Sequence, residues 1–108
     1  MNTIESLPTA VLITGHHESR IVTVAGKQLF PQRSQKLINH SPDGFSWGYG
    51  GSGPAQLSLA ILLQFMPAEF ACEFYQDFKW NVVAKWPKSH FAVTVNIQEE
   101  IKKIINLK

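Results

Sequence analysis

The sequence predicts one α+β domain over residues 1–108, in which a small, mostly antiparallel sheet packs against about three helices. Three observations favour this class. Segments rich in β-branched residues lie at 10–14, 20–24 and 91–95, near the two ends of the chain. Apolar residues at helical spacing fill residues 54–66 and 68–85, and a third helical pattern follows the last strand. The order is therefore strands, helix, helix, strand, helix.

Composition narrows the class of protein. A chain of 108 residues with 44% hydrophobic residues is typical of one globular domain and not of a disordered segment. The net charge of +2 is too small to indicate nucleic-acid or membrane binding by itself. The single cysteine, Cys72, excludes an internal disulfide and fits a reducing compartment. With no signal peptide or transmembrane run in the pattern, we expect a cytoplasmic protein.

The N-terminal half predicts a hairpin and a central strand. Residues 15–19 separate the first two strands and contain a glycine suited to a turn. Residues 29–31 continue as an edge segment, because Pro31 is tolerated only at an edge, and residues 34–37 form one helical turn. After a turn at 40–44, residues 45–49 alternate as a strand with Phe45, Trp47 and Tyr49 on one face.

The C-terminal half predicts a buried helix between residues 54 and 66, with Pro54 at its first position and Ser52 or Gly53 as the N-cap. Because it is apolar on nearly every side, we expect it at the centre of the domain. Asn96 is expected to cap the last helix together with Glu99. That helix is predicted to turn its isoleucines inward and an ion pair outward: Ile97, Ile101, Ile104 and Ile105, and Glu99 with Lys103.

Residues 48–53 match the pattern G-x-G-x-x-G between a predicted strand and a predicted helix. Free backbone N–H groups there suit a phosphate, so one hypothesis is a small-ligand or nucleotide-phosphate site. The alternative is a structural turn, because no second parallel strand follows and a Walker lysine is absent. The predicted structural motif comprises Trp47, Gly48, Tyr49 and Pro54, and the candidate ligand residues are Gly50, Gly51, Ser52, Gly53 and Gln56.

The C-terminal third interleaves lysine with tryptophan, a combination that binds single-stranded nucleic acid by stacking and charge neutralisation. The alternative is that Trp86 packs on the core while the lysines solvate helix ends. The candidate nucleic-acid residues are Lys79, Trp80, Lys85, Trp86 and Lys88.

Catalytic and metal sites are not predicted. The four histidines, His16, His17, His40 and His90, lack metal-ligand spacing, and Cys72 has no partner motif. Ser52 does not fit a nucleophile elbow because Pro54 stands where that motif needs glycine. We therefore expect no cofactor and no metal; a non-enzymatic protein is favoured, and an enzymatic role of a ligand site at the glycine-rich loop stays open.

The stretch SPDGFSWGYGGSGPAQLSLAIL at residues 41–62 resembles the hallmark of a small uncharacterised family of bacteria, bacteriophages and plasmids. Residues 75–79 and 82–83 are similar to the same family, so the resemblance covers about two-thirds of the chain. The family has no assigned activity. The resemblance implies an intracellular accessory protein of a bacterium or mobile element that binds host or defence machinery.

The leading functional hypothesis is a non-enzymatic module that binds a macromolecular partner, above all a protein, with a homo-oligomer left open. The alternatives are a small ligand at residues 50–53 and single-stranded nucleic acid at the lysines and tryptophans.

Overall fold

The computed structural model describes residues 4–106 and contains a four-stranded antiparallel sheet with helices packed against it. The predicted α+β class is confirmed. The strands are β1 (Val11–Gly15), β2 (Val22–Val24), β3 (Lys27–Leu29) and β4 (Phe91–Val95), in the order β3-β2-β1-β4. The helices are α1 (Gln32–Leu37), α2 (Ser52–Leu63), α3 (Ala68–Asn81) and α4 (Ile97–Asn106), with a 3₁₀ turn at Val83–Lys85.

Strand β1 organises the sheet because it pairs with β2 on one side and with β4 on the other. The first pairing confirms the predicted hairpin. The second joins the two ends of the chain in a register that runs from Val11 opposite Val95 to Gly15 opposite Phe91. Alternate residues of β1 are buried while Leu12 faces solvent, so one side of the sheet covers the core.

Helix α2 is the centre of the fold, as its apolar sequence predicts. Every residue from Gly53 to Leu63 is buried, and the helix packs against α1, α3 and the 3₁₀ turn. The one buried hydroxyl of this helix, on Ser58, donates to the carbonyl of Pro54 at 2.8 Å, so it carries no unsatisfied group into the core.

Helix α4 begins at the predicted cap, since the Asn96 Oδ1 accepts the backbone N–H of Glu99 at 2.8 Å. Two details of the prediction for the faces of this helix were wrong. Ile105 is 37% exposed, because it lies about 100° around the helix from the buried Ile104. The outward ion pair joins Lys103 to Glu100, at 3.6 Å, and not to Glu99.

The predicted central strand at residues 45–49 was wrong, because these residues form no part of the sheet. Gly48 turns the chain with a φ of +86°, and its N–H donates to the carbonyl of Val83 at 3.1 Å. Phe45 and Trp47 are buried as the alternation predicts, but Tyr49 is 46% exposed. The segment is an extended connection that places one tryptophan in the core and one tyrosine on the surface.

Several boundaries also differ from the prediction. The edge strand is Lys27–Leu29 and not residues 29–31, because Ala25 and Gly26, both at positive φ, make a tight two-residue turn. Helix α1 is longer than the predicted turn and starts after Pro31. Helix α2 has Gly51 as its N-cap, so Pro54 is its third residue. Helix α3 ends at Asn81 because Val82 leaves the helical conformation.

Within residues 4–106, no helix combines the length and apolar character needed to cross a membrane.

Candidate functional site

The glycine turn, residues 48–53, is a tightly packed connection between the extended residues 45–47 and helix α2. A Cβ on Gly50 would overlap the ring of Trp80, and one on Gly51 would overlap the ring of Tyr49. A Cβ on Gly53 would overlap the Ser46 hydroxyl. Glycine is therefore favoured at these positions, because side chains lie directly on this backbone. Ligand binding at residues 50–53 stays a prediction.

Gln56, which the sequence groups with the glycine turn, has its side chain in a different place. Its Oε1 accepts the backbone N–H groups of His40 at 2.7 Å and Ser41 at 3.0 Å. Its Nε2 donates to the Ser34 hydroxyl at 2.8 Å and the Ile38 carbonyl at 3.1 Å. These four bonds use both donors and both acceptor positions of the amide. Gln56 thus holds the connection between α1 and α2.

The candidate nucleic-acid residues divide into buried and exposed groups. Trp86 stacks on Phe91 with ring centroids 4.3 Å apart and is buried in the core. Lys79 is buried too, and its Nζ donates to the Gly50 carbonyl at 3.1 Å while lying 4.4 Å from the centroid of the Trp80 ring. The ring of Trp80 is 58% exposed. Lys85 and Lys88 are also exposed.

An open cleft of about 320 Å³ lies on the surface next to the glycine turn. We call it the Tyr49 cleft. Lys88 Nζ lies 5.9 Å from the centroid of the Tyr49 ring, and Arg20 Cζ lies 5.2 Å from that of the Trp47 ring. The hydroxyls of Ser46 and Tyr49 are bonded to each other at 2.9 Å. The six lining residues are His17, Arg20, Ser46, Trp47, Tyr49 and Lys88.

The Tyr49 cleft is lined by positive charges and no negative ones. None of its lining residues is acidic, and neither Arg20 nor Lys88 forms a salt bridge with any residue from 4 to 106. Arg20 is also one of two non-glycine residues in the described chain with a positive φ, at 60°. Such a conformation costs on the order of 1 kcal/mol and is concentrated at functional positions. The cleft therefore offers two cations that form no salt bridge with the described residues, and the exposed ring of Tyr49 belongs to the same lining.

A second cluster lies at the end of the sheet, where His16, Glu18 and His90 meet. The carboxylate of Glu18 lies 3.5 Å from Nδ1 of His16 and 3.6 Å from Nε2 of His90. A backbone hydrogen bond of Glu18 itself, followed by the neighbouring His90, His16 and His17, lowers the pKa of Glu18 below its usual value. His40 lies apart from this group, with its Nε2 2.6 Å from the Tyr75 hydroxyl.

A third feature is a small apolar depression of about 120 Å³ where α3 and α4 meet the N-terminal segment. Phe70 and Ile105 are each 37% exposed at its margin. The remaining lining residues are Ile4, Leu7, Met66, Phe74 and Ile101.

Sequence reasoning did not find that Arg20, His17 and Lys88 line one cleft. It also did not find that the side chains of His16 and His90 are in contact. The signal that would have found both is the pairing of β1 with β4. With Gly15 opposite Phe91, the residues that follow β1 must lie beside those that precede β4.

Fold and site together define a small α+β domain with an open, cationic and aromatic cleft. A family model described as a family of unknown function (DUF6166) matches residues 13–106. The chain belongs to this family, and the match extends over most of the N-terminal hairpin as well as the stretch that carried the predicted resemblance. Neither the curated proteins nor the solved structures contain a match to this chain.

Proposed function

We propose that this chain is a non-enzymatic binding module whose Tyr49 cleft holds single-stranded nucleic acid. The observation that carries the proposal is the pair of cations, Arg20 and Lys88, which have no carboxylate partner among residues 4–106 and line the same cleft as the exposed ring of Tyr49. Phosphates bind to such cations and release counterions, while bases stack on exposed rings without regard to sequence.

Trp80 provides a second exposed ring against the glycine turn. Its ring lies on Gly50, the ring of Tyr49 lies on Gly51, and these two glycines are adjacent. Two exposed rings that contact adjacent glycines of one turn suit the stacking of two bases of a single strand. Each ring has a lysine beside it, Lys88 at Tyr49 and Lys79 at Trp80.

The experiment is fluorescence anisotropy with a labelled single-stranded oligonucleotide, titrated at several salt concentrations, with the same sequence as a duplex for comparison. We expect affinity for the single strand to fall as salt rises, with a slope of about 0.7 per phosphate contact. Lys88→Ala should remove about one phosphate contact and so reduce that slope by about 0.7. Arg20→Gly should weaken binding as well, without loss of stability, because glycine adopts a φ of 60° freely.

Trp80→Ala tests stacking, and we expect affinity to fall about fivefold or more. Lys27→Ala is the matched control, because Lys27 is an exposed lysine on the edge strand β3 and does not line the cleft. The proposal would be refuted by binding that does not depend on salt, by binding that Arg20→Gly and Lys88→Ala leave unchanged, or by an equal loss of affinity in Lys27→Ala and in the cleft variants.

A protein partner is the second candidate, and the apolar depression is the observation that favours it. A partner captured by the wild-type chain should bind the purified chain as well, and Phe70→Ser should abolish that binding. If Arg20→Gly abolishes it instead, the partner occupies the Tyr49 cleft. An origin in a bacterium or a mobile element is the expectation that the sequence resemblance adds to either candidate.

A further inference from the structure

The cluster of His16, Glu18 and His90 unites two segments that are distant in sequence. His16 and Glu18 lie in the turn after β1, and His90 immediately precedes β4. Because Gly15 is opposite Phe91, the next pair outward is His16 and His90, and their ring centroids lie 4.6 Å apart. The sheet register itself brings these side chains together.

Two of the three ligand-atom separations are close to those of a metal site. One ligand atom from each of the three side chains lies within 4.8 Å of those of the other two. Glu18 Oε2 is 3.5 Å from His16 Nδ1 and 3.6 Å from His90 Nε2. Ligands about 2.1 Å from a tetrahedral ion are about 3.4 Å from one another. These two pairs therefore need to close by only a few tenths of an ångström.

Backbone contacts hold the two segments in place. The backbone N–H of His17 donates to His90 Nδ1 at 3.0 Å, and His17 Nδ1 lies 3.1 Å from the Lys88 carbonyl oxygen. The first contact has a chemical consequence. Coordination through His90 Nε2 requires the proton on Nδ1, so the ion must displace the bond from His17. Ser19 likewise contacts His16 Nδ1, through its hydroxyl at 3.1 Å.

We propose that His16, Glu18 and His90 bind one divalent transition-metal ion of the Zn²⁺ class, which ties the turn after β1 to the segment before β4. Two imidazoles and one carboxylate favour such an ion over Mg²⁺ or Ca²⁺, which take oxygen ligands. All three side chains are exposed, so water completes the coordination sphere, and the bonds that must be displaced keep the affinity moderate. This proposal does not rest on nucleic-acid binding at the Tyr49 cleft.

The test is isothermal titration of the tag-free protein with ZnCl₂ and, separately, with CoCl₂, whose visible absorption reports the ligand set. We expect one ion per chain with a dissociation constant in the micromolar range, and a rise in the melting temperature that grows with metal concentration. MgCl₂ should produce neither effect. His16→Ala and Glu18→Gln should each weaken binding at least about tenfold.

Two matched variants serve as controls. His40→Gln removes a histidine outside the cluster, and Glu69→Gln removes an exposed carboxylate on α3. Both should bind Zn²⁺ as the unaltered chain does. His90→Ala is a weaker test, because it also removes the bond from His17, so the other two variants decide. The proposal is overturned if no binding occurs up to about 1 mM Zn²⁺, or if binding survives His16→Ala and Glu18→Gln unchanged.

Discussion

Replacing Gln56 on α2 with leucine should destabilise the domain. Gln56 is fully buried, and its amide satisfies four polar groups between Ser34 and Ser41. Leucine has nearly the same volume, so the substitution leaves no cavity. It strands the N–H groups of His40 and Ser41 and the carbonyl of Ile38.

The magnitude follows from how far water can reach those three groups. A fully buried unsatisfied group costs about 1–3 kcal/mol. Residues 38, 40 and 41 are half-buried, so water relieves part of the penalty and each group falls at the lower end. We therefore expect a loss of about 2–4 kcal/mol in the free energy of unfolding. For a domain of this size, that lowers the melting temperature by at least about 8 °C.

Urea unfolding followed by circular dichroism measures the loss, and amide hydrogen exchange locates it. The amides of His40 and Ser41 should exchange faster than in the unaltered chain. The amides within α2 should keep the same ranking of exchange rates among themselves. Gln76→Leu is the matched control, since Gln76 is exposed on α3 and should change stability by about 0.5 kcal/mol at most. If Gln56→Leu is no more destabilising than Gln76→Leu, the amide does not hold the connection between α1 and α2.

Two glycines of the glycine turn should respond differently to alanine. Gly53→Ala should cost about 1–3 kcal/mol, because its Cβ meets the Ser46 side chain and lies 3.1 Å from the Ser46 backbone nitrogen. Urea unfolding measures this, and adding Ser46→Gly should recover most of the loss. No loss in the single variant contradicts the close packing. Gly50→Ala should cost less than about 1 kcal/mol, because the group it meets is the exposed ring of Trp80, which can rotate away. A change in tryptophan emission should accompany it, and a cost equal to that of Gly53→Ala would show that the ring is fixed.

Local patterns were sufficient to predict most elements of this fold. The hairpin, the buried helix, the amphipathic helix α4 and its Asn96 cap depend on periodicity and on residues close in sequence, and the structure confirms each of them. The strand at residues 45–49 was predicted for the same reason and was wrong. Burial of Phe45 and Trp47 has the period of a strand, but the turn at Gly48 depends on a contact with Val83 that no local pattern records.

The candidate site was predictable only in part, because its residues come together through a non-local pairing. Trp80 and Lys88 were singled out because lysine and tryptophan alternate there, and Tyr49 only as part of the structural motif. Trp86 was included in the nucleic-acid set although it packs on Phe91. A tryptophan next to a proline and lysines is the same in sequence whether its ring is buried or exposed. Only the position of Phe91 on β4 decides between them.

The pairing of β1 with β4 explains why the Tyr49 cleft and the cluster of His16, Glu18 and His90 lie at the same end of the sheet. It brings the turn after β1, with His16, His17 and Arg20, against the segment that ends in Lys88 and His90. His17 takes part in both features, since it lines the Tyr49 cleft and its backbone N–H donates to His90. None of these residues has a ligand-like spacing along the chain, because the spacing that matters is set by the sheet register. The rings of Tyr49 and Trp80 lie on the narrow backbone of the glycine turn, next to the cations of that cleft, so close packing favours its glycines while phosphate binding there stays a prediction.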